Sequence, residues 1–198
     1  MTLTDAAGRG RPRDAEIDGC VLDAALAELA AKGYAAFSLT AVADAAGTTR
    51  PAVYRRWKGK VALVVDAVAR LAEVDPPQVT GRPFDDLVAE LEDFRHCITE
   101  AAALPLAGIM LGDDVEPALR RAYTERVVAP RRTRLRAVLA AAVAAGDLAG
   151  DADLEVAGSF LTGSWYSFAV AGAAVPADWA LRVARLVWRA CGGDPPAA

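Results

Sequence analysis

The stretch that decides the fold is residues 37–60, which read FSLTAVADAAGTTRPAVYRRWKGK. Ser38 is typical of a helix N-cap, and Gly47 can turn the chain after about two turns of helix. A second short helix is predicted directly afterwards, because residues 48–49 offer a threonine cap and Pro51 falls in the first turn, where no N–H is needed. Two short helices joined by a glycine turn form a helix-turn-helix unit.

The second predicted helix is strongly basic in an otherwise acidic chain. The 198-residue chain has a formal net charge of −4 at pH 7, yet residues 50–60 contain five basic side chains and no acidic one. Val53 and Trp57 are four residues apart, so both can face the core and leave the other positions exposed. The second helix of a helix-turn-helix enters the major groove of DNA, where arginine binds guanine and where tyrosine and lysine suit phosphate. We therefore expect DNA contacts from Thr49, Arg50, Ala52, Tyr54, Arg55, Arg56 and Lys60. The alternative interpretation is a basic helix face that is merely solvated.

The composition predicts an all-α protein. Hydrophobic residues make up 54% of the chain and aromatic residues only 7%, and the heavy use of alanine favours packed helices over β-strands. A first helix is predicted between Asp14, a suitable cap, and Gly33, a stop signal. Its apolar residues recur at four-residue steps, at Ile17, Val21, Ala25 and Leu29.

Prolines and glycines divide the rest of the chain. A helix that follows Lys60 is ended by Pro76–Pro77, which we take as the domain boundary. Further helices are predicted at about 84–103, 105–112, 116–145, 152–174 and 177–190, and Pro130 should kink the third of these. The expected organisation is a flexible basic arm at 1–13, a three-helix DNA-binding domain at 14–74 and a helical C-terminal domain at 75–198.

The stretch from Ala24 to Lys60 resembles the DNA-binding domain of the TetR (tetracycline repressor) family. The resemblance covers about residues 14–74 and rests on the alanine-glycine turn, the tyrosine of the second helix, the aromatic residue after it and the closing lysine. Trp57 stands where the family commonly has phenylalanine, which is a conservative difference. The resemblance implies that Ser38 begins helix 2, that Thr40 and residues 49–56, with Pro51 among them, approach DNA, and that Lys60 contacts a phosphate at the start of helix 4.

The arm before the first helix contains Arg11 and Arg13. Many regulators of the TetR family carry basic arms at this place, and arginine is drawn into the narrow minor groove of A·T tracts. We include both arginines among the expected DNA contacts. An ordinary solubilising tail is the alternative.

The resemblance further implies a homodimeric transcriptional repressor without enzymatic activity, released from a palindromic operator by a small molecule bound in the C-terminal helices. The last two helices are the expected dimer elements. Residues 156–177 contain no charged residue, and the final helix has one apolar face, so both need a partner for their apolar surface. A membrane span is the alternative for 156–177, given its length, but its serines, glycines and Pro176 favour a helix buried in protein.

A ligand pocket is expected among the aromatic and polarisable residues of the C-terminal half, namely Phe94, Cys97, Met110, Tyr123, Trp165 and Phe168. Few charges are expected to be buried with them, which favours an apolar or aromatic ligand. The arginines between residues 120 and 136 are expected on a solvated helix face.

The sequence offers little to an enzyme or a metal site. His96 is the only histidine, the three cysteines have no CxxC spacing, and no phosphate- or dinucleotide-binding glycine loop is present. We therefore expect no catalytic residue, no cofactor and no metal. Unpaired cysteines and the lack of a secretory signal suit the cytoplasm. A helical enzyme with a lipid-like or aromatic substrate, and an adaptor that kept the fold without specific DNA binding, remain the alternatives.

Overall fold

The chain is all-α, as predicted. The structure is a computed structural model that describes residues 11–73, 76–100, 103–110 and 115–196. Within these ranges it has ten α-helices, one π-helical turn and no strand. The described residues up to Leu71 and those from 103 to Tyr123 form one compact unit, and the others form a second. The predicted domain boundary after residue 74 lies outside the described residues, so the division into 14–74 and 75–198 stays a prediction.

The first unit brings together helices from two separate parts of the chain. They are α1 (Arg11–Ala36), α2 (Leu39–Ala45), α3 (Arg50–Arg56), most of α4 (Lys60–Glu73), α6 (Ala103–Ile109) and α7 (Pro117–Tyr123). The apolar stripe of α1 is buried at Val21, Ala25 and Leu29, as its four-residue spacing predicts. α1 packs against α2 and α6, and α2 packs against α3.

The start of α1 differs from the prediction, whereas its end agrees. α1 begins at Arg11 rather than after Asp14, because a proline at position 12 suits the first turn of a helix. Arg11 and Arg13 therefore belong to that turn, while their side chains and residues 1–10 lie outside the described part of the chain. The helical backbone is interrupted at Gly33, which has φ 70° and ψ 173° and was predicted to stop the helix.

The second unit is built on four long helices. It contains α5 (Pro83–Glu100), the π-helical turn (Thr124–Val128), α8 (Ala129–Ala145), α9 (Leu154–Val170) and α10 (Trp179–Ala190). The single helix predicted over 116–145 is wrong, because α7, the π-helical turn and α8 follow one another there. The break falls where Pro130 was predicted to kink the helix, since proline cannot donate the hydrogen bond that an α-helix needs four residues back.

Three aromatic rings join the helices of the second unit. Phe94 of α5 lies edge-on to Trp165 of α9, with ring centroids 6.2 Å apart, and Trp165 lies edge-on to Trp179 of α10 at 5.2 Å. The Trp179 indole N–H donates to the Ser164 hydroxyl at 3.0 Å. Each ring is less than a tenth exposed. We call Phe94, Trp165 and Trp179 the aromatic cluster.

Charged residues are buried in the same unit, and one of them, Arg131, is an exception to the expectation that the arginines between residues 120 and 136 are solvated. Arg120, Arg121, Arg126, Arg132 and Arg136 are exposed, as expected. Arg131 is only 7% exposed and Glu90 only 4%. Arg131 Nη1 lies 2.8 Å from Asp93 Oδ2, and the same nitrogen donates to the Glu90 carbonyl at 3.3 Å. The Arg134 Nε–H donates to Glu90 Oε1 at 2.8 Å. Two acids of α5 and two arginines of α8 thus compensate one another, which is what allows such charges to be buried.

Replacing Arg131 by alanine is expected to lower the free energy of unfolding by about 3 kcal/mol. The reason is that Asp93 loses its nearest cation and keeps only the more distant Arg134 Nη2, at 3.9 Å. Urea unfolding followed by circular dichroism measures the change. The matched control is Arg136→Ala, which removes an exposed arginine from the same helix and is expected to act within about 0.5 kcal/mol. Equal stability of the two variants would show that the buried ion pair does not stabilise the fold.

Candidate nucleic-acid interface

Both short helices of the helix-turn-helix unit are capped as predicted. The Ser38 hydroxyl accepts a hydrogen bond at 3.3 Å from the N–H three residues later, and the Thr49 hydroxyl does the same at the start of α3, also at 3.3 Å. Of the two threonines before α3, the second is therefore the cap. Gly47, between the helices, has φ 64°, a left-handed conformation that favours glycine. Ser38 therefore marks the beginning of α2, Gly47 the turn after it, and Thr49 the beginning of α3.

One side of α3 is anchored in the protein. Val53 is 1% exposed and Trp57, the residue that ends the helix, is 6% exposed, as their spacing predicts. The Trp57 indole N–H also donates to Asp66 Oδ2 of α4 at 3.0 Å. A phenylalanine at this position, which is common in the TetR-like pattern, has no N–H to make that bond. The tryptophan therefore ties α3 to α4 by a polar contact as well as by packing.

The other side of α3 presents the predicted contact residues to solvent. Exposed are Thr49, Arg50, Pro51, Tyr54 and Arg55, whereas Ala52 is half-buried. The Arg50 guanidinium lies 5.3 Å from the centroid of the Tyr54 ring and donates to its hydroxyl at 3.3 Å. Residues four apart lie on one helix face, so this pair forms a single polar surface that can donate several hydrogen bonds to base edges or phosphates.

Three further predicted contact residues differ in their surroundings. Thr40 of α2 is exposed, and Ser38 is half-buried at its cap position. Arg56 forms an ion pair with Asp18 of α1, and its side chain is 17% exposed. Arg56 is therefore engaged at the side of α3 that faces α1, and its contact with DNA stays a prediction.

Lys60, the predicted phosphate contact, begins α4 and lies against the end of α1. Its Nζ is 4.1 Å from the centroid of the Tyr34 ring and donates to the Ala35 carbonyl at 3.3 Å. The Tyr34 hydroxyl donates in turn to Glu116 Oε2 at 3.2 Å. We call Lys60, Tyr34 and Glu116 the Lys60 cluster.

The protonation of this cluster follows from burial and from the Glu116 carboxylate. Burial, the negative charge of Glu116 and the hydrogen bond to it together raise the pKa of Tyr34 to about 12. The phenol therefore keeps its proton and continues to donate at neutral pH. Burial lowers the pKa of Lys60, and the charge of Glu116 opposes that effect.

Two family models together match most of this chain. The model described as bacterial regulatory proteins of the tetR family matches residues 21–76, and the model of the tetracyclin repressor-like C-terminal domain matches residues 77–187. The chain belongs to the TetR family.

Individual relatives of this TetR-family protein are regulators as well. It is 26% identical over 149 residues, 75% of each chain, to the uncharacterized HTH-type transcriptional regulator YdeS of Bacillus subtilis (strain 168). The solved TetR family transcription regulator SCO0332 is 26% identical, with a TM-score of 0.67 over 91% of this chain and 100% of that chain. A TetR transcriptional regulator from Agrobacterium tumefaciens shares the fold at 21% identity, with a TM-score of 0.67 over 90% of this chain and 92% of its own. The protein is therefore a DNA-binding transcriptional regulator and not an enzyme.

Three acidic residues of the interface were missed by the sequence analysis. Asp18 pairs with Arg56, Asp66 accepts from Trp57, and Glu116 accepts from Tyr34. Asp18 lies on α1, Asp66 on α4 and Glu116 at the start of α7. Each acid therefore lies on a different helix from the residue that it contacts. No local pattern marks such residues, because an isolated carboxylate in a helical sequence is usually solvated.

The predicted pocket residues of the TetR-family protein are divided between the two units. Phe94 and Trp165 lie together in the aromatic cluster, and Cys97 follows Phe94 on α5 with its Sγ 3.6 Å from Arg131 Nη2. Of the remaining three, Phe168 is half-buried beside a groove on α9, and Met110 and Tyr123 belong to the first unit. A pocket lined by all six stays a prediction.

The uncharged segment at 156–177 is not a membrane helix in the structure. None of the described helices combines the length and the hydropathy that crossing a bilayer requires. In the same described ranges, His, Cys, Asp and Glu side chains form no group of three or more that is placed to hold a metal ion.

Tyr34 is expected to stay protonated well above pH 10, the ordinary pKa of tyrosine, because its own pKa is raised to about 12. A raised pKa in the folded state means that Tyr34 stabilises the fold fully below pH 10 and loses this contribution as the pH rises from 10 to 12. The measurement is the tyrosinate absorbance of the wild type minus that of Tyr34→Phe, titrated upward from pH 9. Glu116→Gln should shift this difference signal to lower pH, and a signal already complete near pH 10 in the wild type would contradict the assignment.

Proposed function

We propose that this TetR-family protein is a homodimeric repressor that binds a palindromic operator through α3 and releases it when a small ligand binds. The observation that carries the DNA-binding part is the exposed face of α3, where Arg50, Tyr54 and Arg55 stand opposite the buried Val53 and Trp57. Residues 14–74 are the proposed DNA-binding domain, and residues 75–198 the proposed regulatory and dimerisation domain. The site of action is the bacterial cytoplasm, where the DNA is.

The proposed interface consists of base-reading and phosphate-binding parts. Arg50, Tyr54 and Arg55 are placed to enter the major groove, and Lys60 lies at the start of the next helix, suited to a backbone phosphate. Thr40, Thr49, Pro51 and Ala52 border the same surface, and Arg11 and Arg13 are proposed to reach the minor groove. Phosphate contacts make the affinity fall steeply with salt, by a slope of about 0.9 per neutralised phosphate on logarithmic axes.

Replacing Tyr54 or Arg50 by alanine is expected to weaken operator binding about tenfold or more, because each loses contacts of the kind that read bases or hold phosphates. The operator is first located by footprinting on the DNA that flanks the gene, and affinities are then measured by fluorescence anisotropy at two salt concentrations. Arg136→Ala is the control for removal of one exposed arginine outside the interface. Full affinity in both interface variants would overturn the assignment of α3 as the reading helix.

Binding that is salt-dependent but equal on operator and scrambled DNA would instead favour the adaptor. In that case the basic surface would bind phosphates without reading a sequence.

The dimer is proposed from an unpartnered apolar stripe on α9. Val156 is 49% exposed, Phe160 64% and Val170 81%, and with Gly163 and Ser167 they recur at alternating steps of four and three residues, which places them on one helix face. On α10, the final helix, whose apolar face was expected to need a partner, Leu186 is 66% exposed. Exposed apolar surface of this extent marks a protein interface, and the small residues between the large ones allow another helix to approach closely.

Replacing Phe160 by glutamate is expected to convert the dimer to a monomer, because a charge on the apolar stripe must then be desolvated in the interface. Light scattering coupled to size-exclusion chromatography measures the mass across a concentration series. Val79→Glu is the matched control, since Val79 is 82% exposed and lies before α5, away from the stripe. An unchanged mass for Phe160→Glu would show that the copies do not meet through this face.

The ligand is proposed to be small and apolar or aromatic, without a net charge. The aromatic cluster supplies apolar surface. The charged residues beside it, the buried Glu90 and Arg131 and the half-buried Asp93 and Arg134, sum to zero. A balanced set of charges offers little attraction to an ion, so an uncharged ligand is still expected beside these ion pairs. The operator complex provides the assay, because a ligand lowers its anisotropy only if it binds the DNA-free conformation more tightly.

A further inference from the structure

Glu116 belongs to the C-terminal half by sequence and to the DNA-binding unit by contact. It lies within the stretch matched by the C-terminal family model, residues 77–187. Its backbone carbonyl accepts from the Arg120 N–H at 3.1 Å, so it begins the first turn of α7. Its carboxylate nevertheless accepts from the hydroxyl of Tyr34, near the end of α1, at 3.2 Å.

The ammonium group of Lys60 is already held within the protein. It lies over the Tyr34 ring at 4.1 Å and 5.9 Å from the centroid of the Phe37 ring, and it donates to the Ala35 carbonyl at 3.3 Å. A cation over aromatic faces is attracted by their electron density. The nearby Glu116 carboxylate adds a full negative charge, since it favours the protonated form of this lysine. These contacts engage the same ammonium group that a DNA phosphate would bind.

We propose that Glu116 competes with the operator phosphate for Lys60, held in position by the Tyr34 hydroxyl, so that the start of α7 controls the strength of DNA binding. This inference rests on the proposed phosphate contact of Lys60. The physical reason is that a single ammonium group divides its attraction between two anions, and the fixed charge of Glu116 also repels the phosphate. A conformation of α7 that withdraws Glu116 strengthens operator binding, and one that brings it closer weakens binding.

The solvent exposure of Glu116 and Lys60 limits how much the operator affinity can change. Glu116 is exposed and Lys60 is half-buried, and charge pairs of this kind are screened by water. Removing the negative charge of Glu116 should therefore raise operator affinity about two- to fivefold, the range of one partly exposed charge pair. The distinguishing feature is that this gain depends on Lys60.

The test is a double-mutant cycle on operator affinity in the full-length protein. Glu116→Gln keeps an oxygen that can accept from Tyr34 and removes only the charge, Lys60→Ala removes the ammonium group, and the third variant combines both. Asp44→Asn is the matched control, because it neutralises another exposed acid of the same unit. When Lys60 is present, we expect Glu116→Gln to raise the operator affinity two- to fivefold more than Asp44→Asn does. In the Lys60→Ala background, we expect Glu116→Gln to change the affinity no more than Asp44→Asn does.

Tyr34→Phe supplies an independent variant, since it keeps the ring beneath Lys60 and removes the hydroxyl that holds Glu116. Tyr34→Phe should also raise the operator affinity, by a smaller factor than Glu116→Gln does. Circular dichroism and thermal melting establish that each variant is folded.

The possible failures are distinguishable. A gain from Glu116→Gln that persists without Lys60 is a general charge effect and overturns the competition. A loss of affinity in Lys60→Ala with no gain in Glu116→Gln also overturns it, while the phosphate contact stands. If Lys60→Ala leaves both the affinity and its salt slope unchanged, the phosphate contact and the competition fall together.

Discussion

The anchoring of α3 is the constraint on which the proposed DNA-binding surface depends. A helix of seven residues does not hold its shape in water by itself, because the entropy of forming the first turn exceeds what so few hydrogen bonds return. Burial of Val53 and Trp57 supplies the missing stability, and the bond from the Trp57 indole to Asp66 orients the end of the helix toward α4. The exposed arginines and tyrosine of α3 have a defined position only because the opposite face is held in this way.

The basic residues of this surface differ in whether they lie near a carboxylate of the same chain. Arg56 and Lys60 are associated with the acids Asp18 and Glu116 of the same chain, whereas Arg50 contacts the ring and hydroxyl of Tyr54. An aromatic ring does not neutralise the charge of an arginine that lies over it. A carboxylate beside an arginine or lysine partly neutralises that charge, which weakens its attraction for a phosphate. The proposed attraction of this surface for DNA is therefore smaller than its count of basic residues indicates, and it depends on where the acids lie.

The second unit combines apolar and ionic packing in one core. The aromatic cluster joins α5, α9 and α10, and the ion pairs of Arg131 and Arg134 join α5 to α8. An ion pair is tolerated there only because each acid has its base, so the arrangement restricts the relative register of α5 and α8 more narrowly than apolar contact alone would. On the other side of α9, large apolar residues are exposed, so this one helix has both a buried core face and a solvent-exposed apolar face.

Local patterns in the sequence determined the helical class, the caps Ser38 and Thr49, the stops at Gly33 and Gly47, and the anchoring pair Val53 and Trp57. These features depend on residues within one or two helical turns, whose geometry follows directly from their spacing. Tertiary structure alone decided that Arg131 is buried, that Leu186 is exposed, and that Asp18 and Glu116 reach Arg56 and Tyr34. The physical reason is that the environment of a charged or apolar side chain is set by helices distant in sequence, and a helical pattern shows which residues share a face but not what that face will meet.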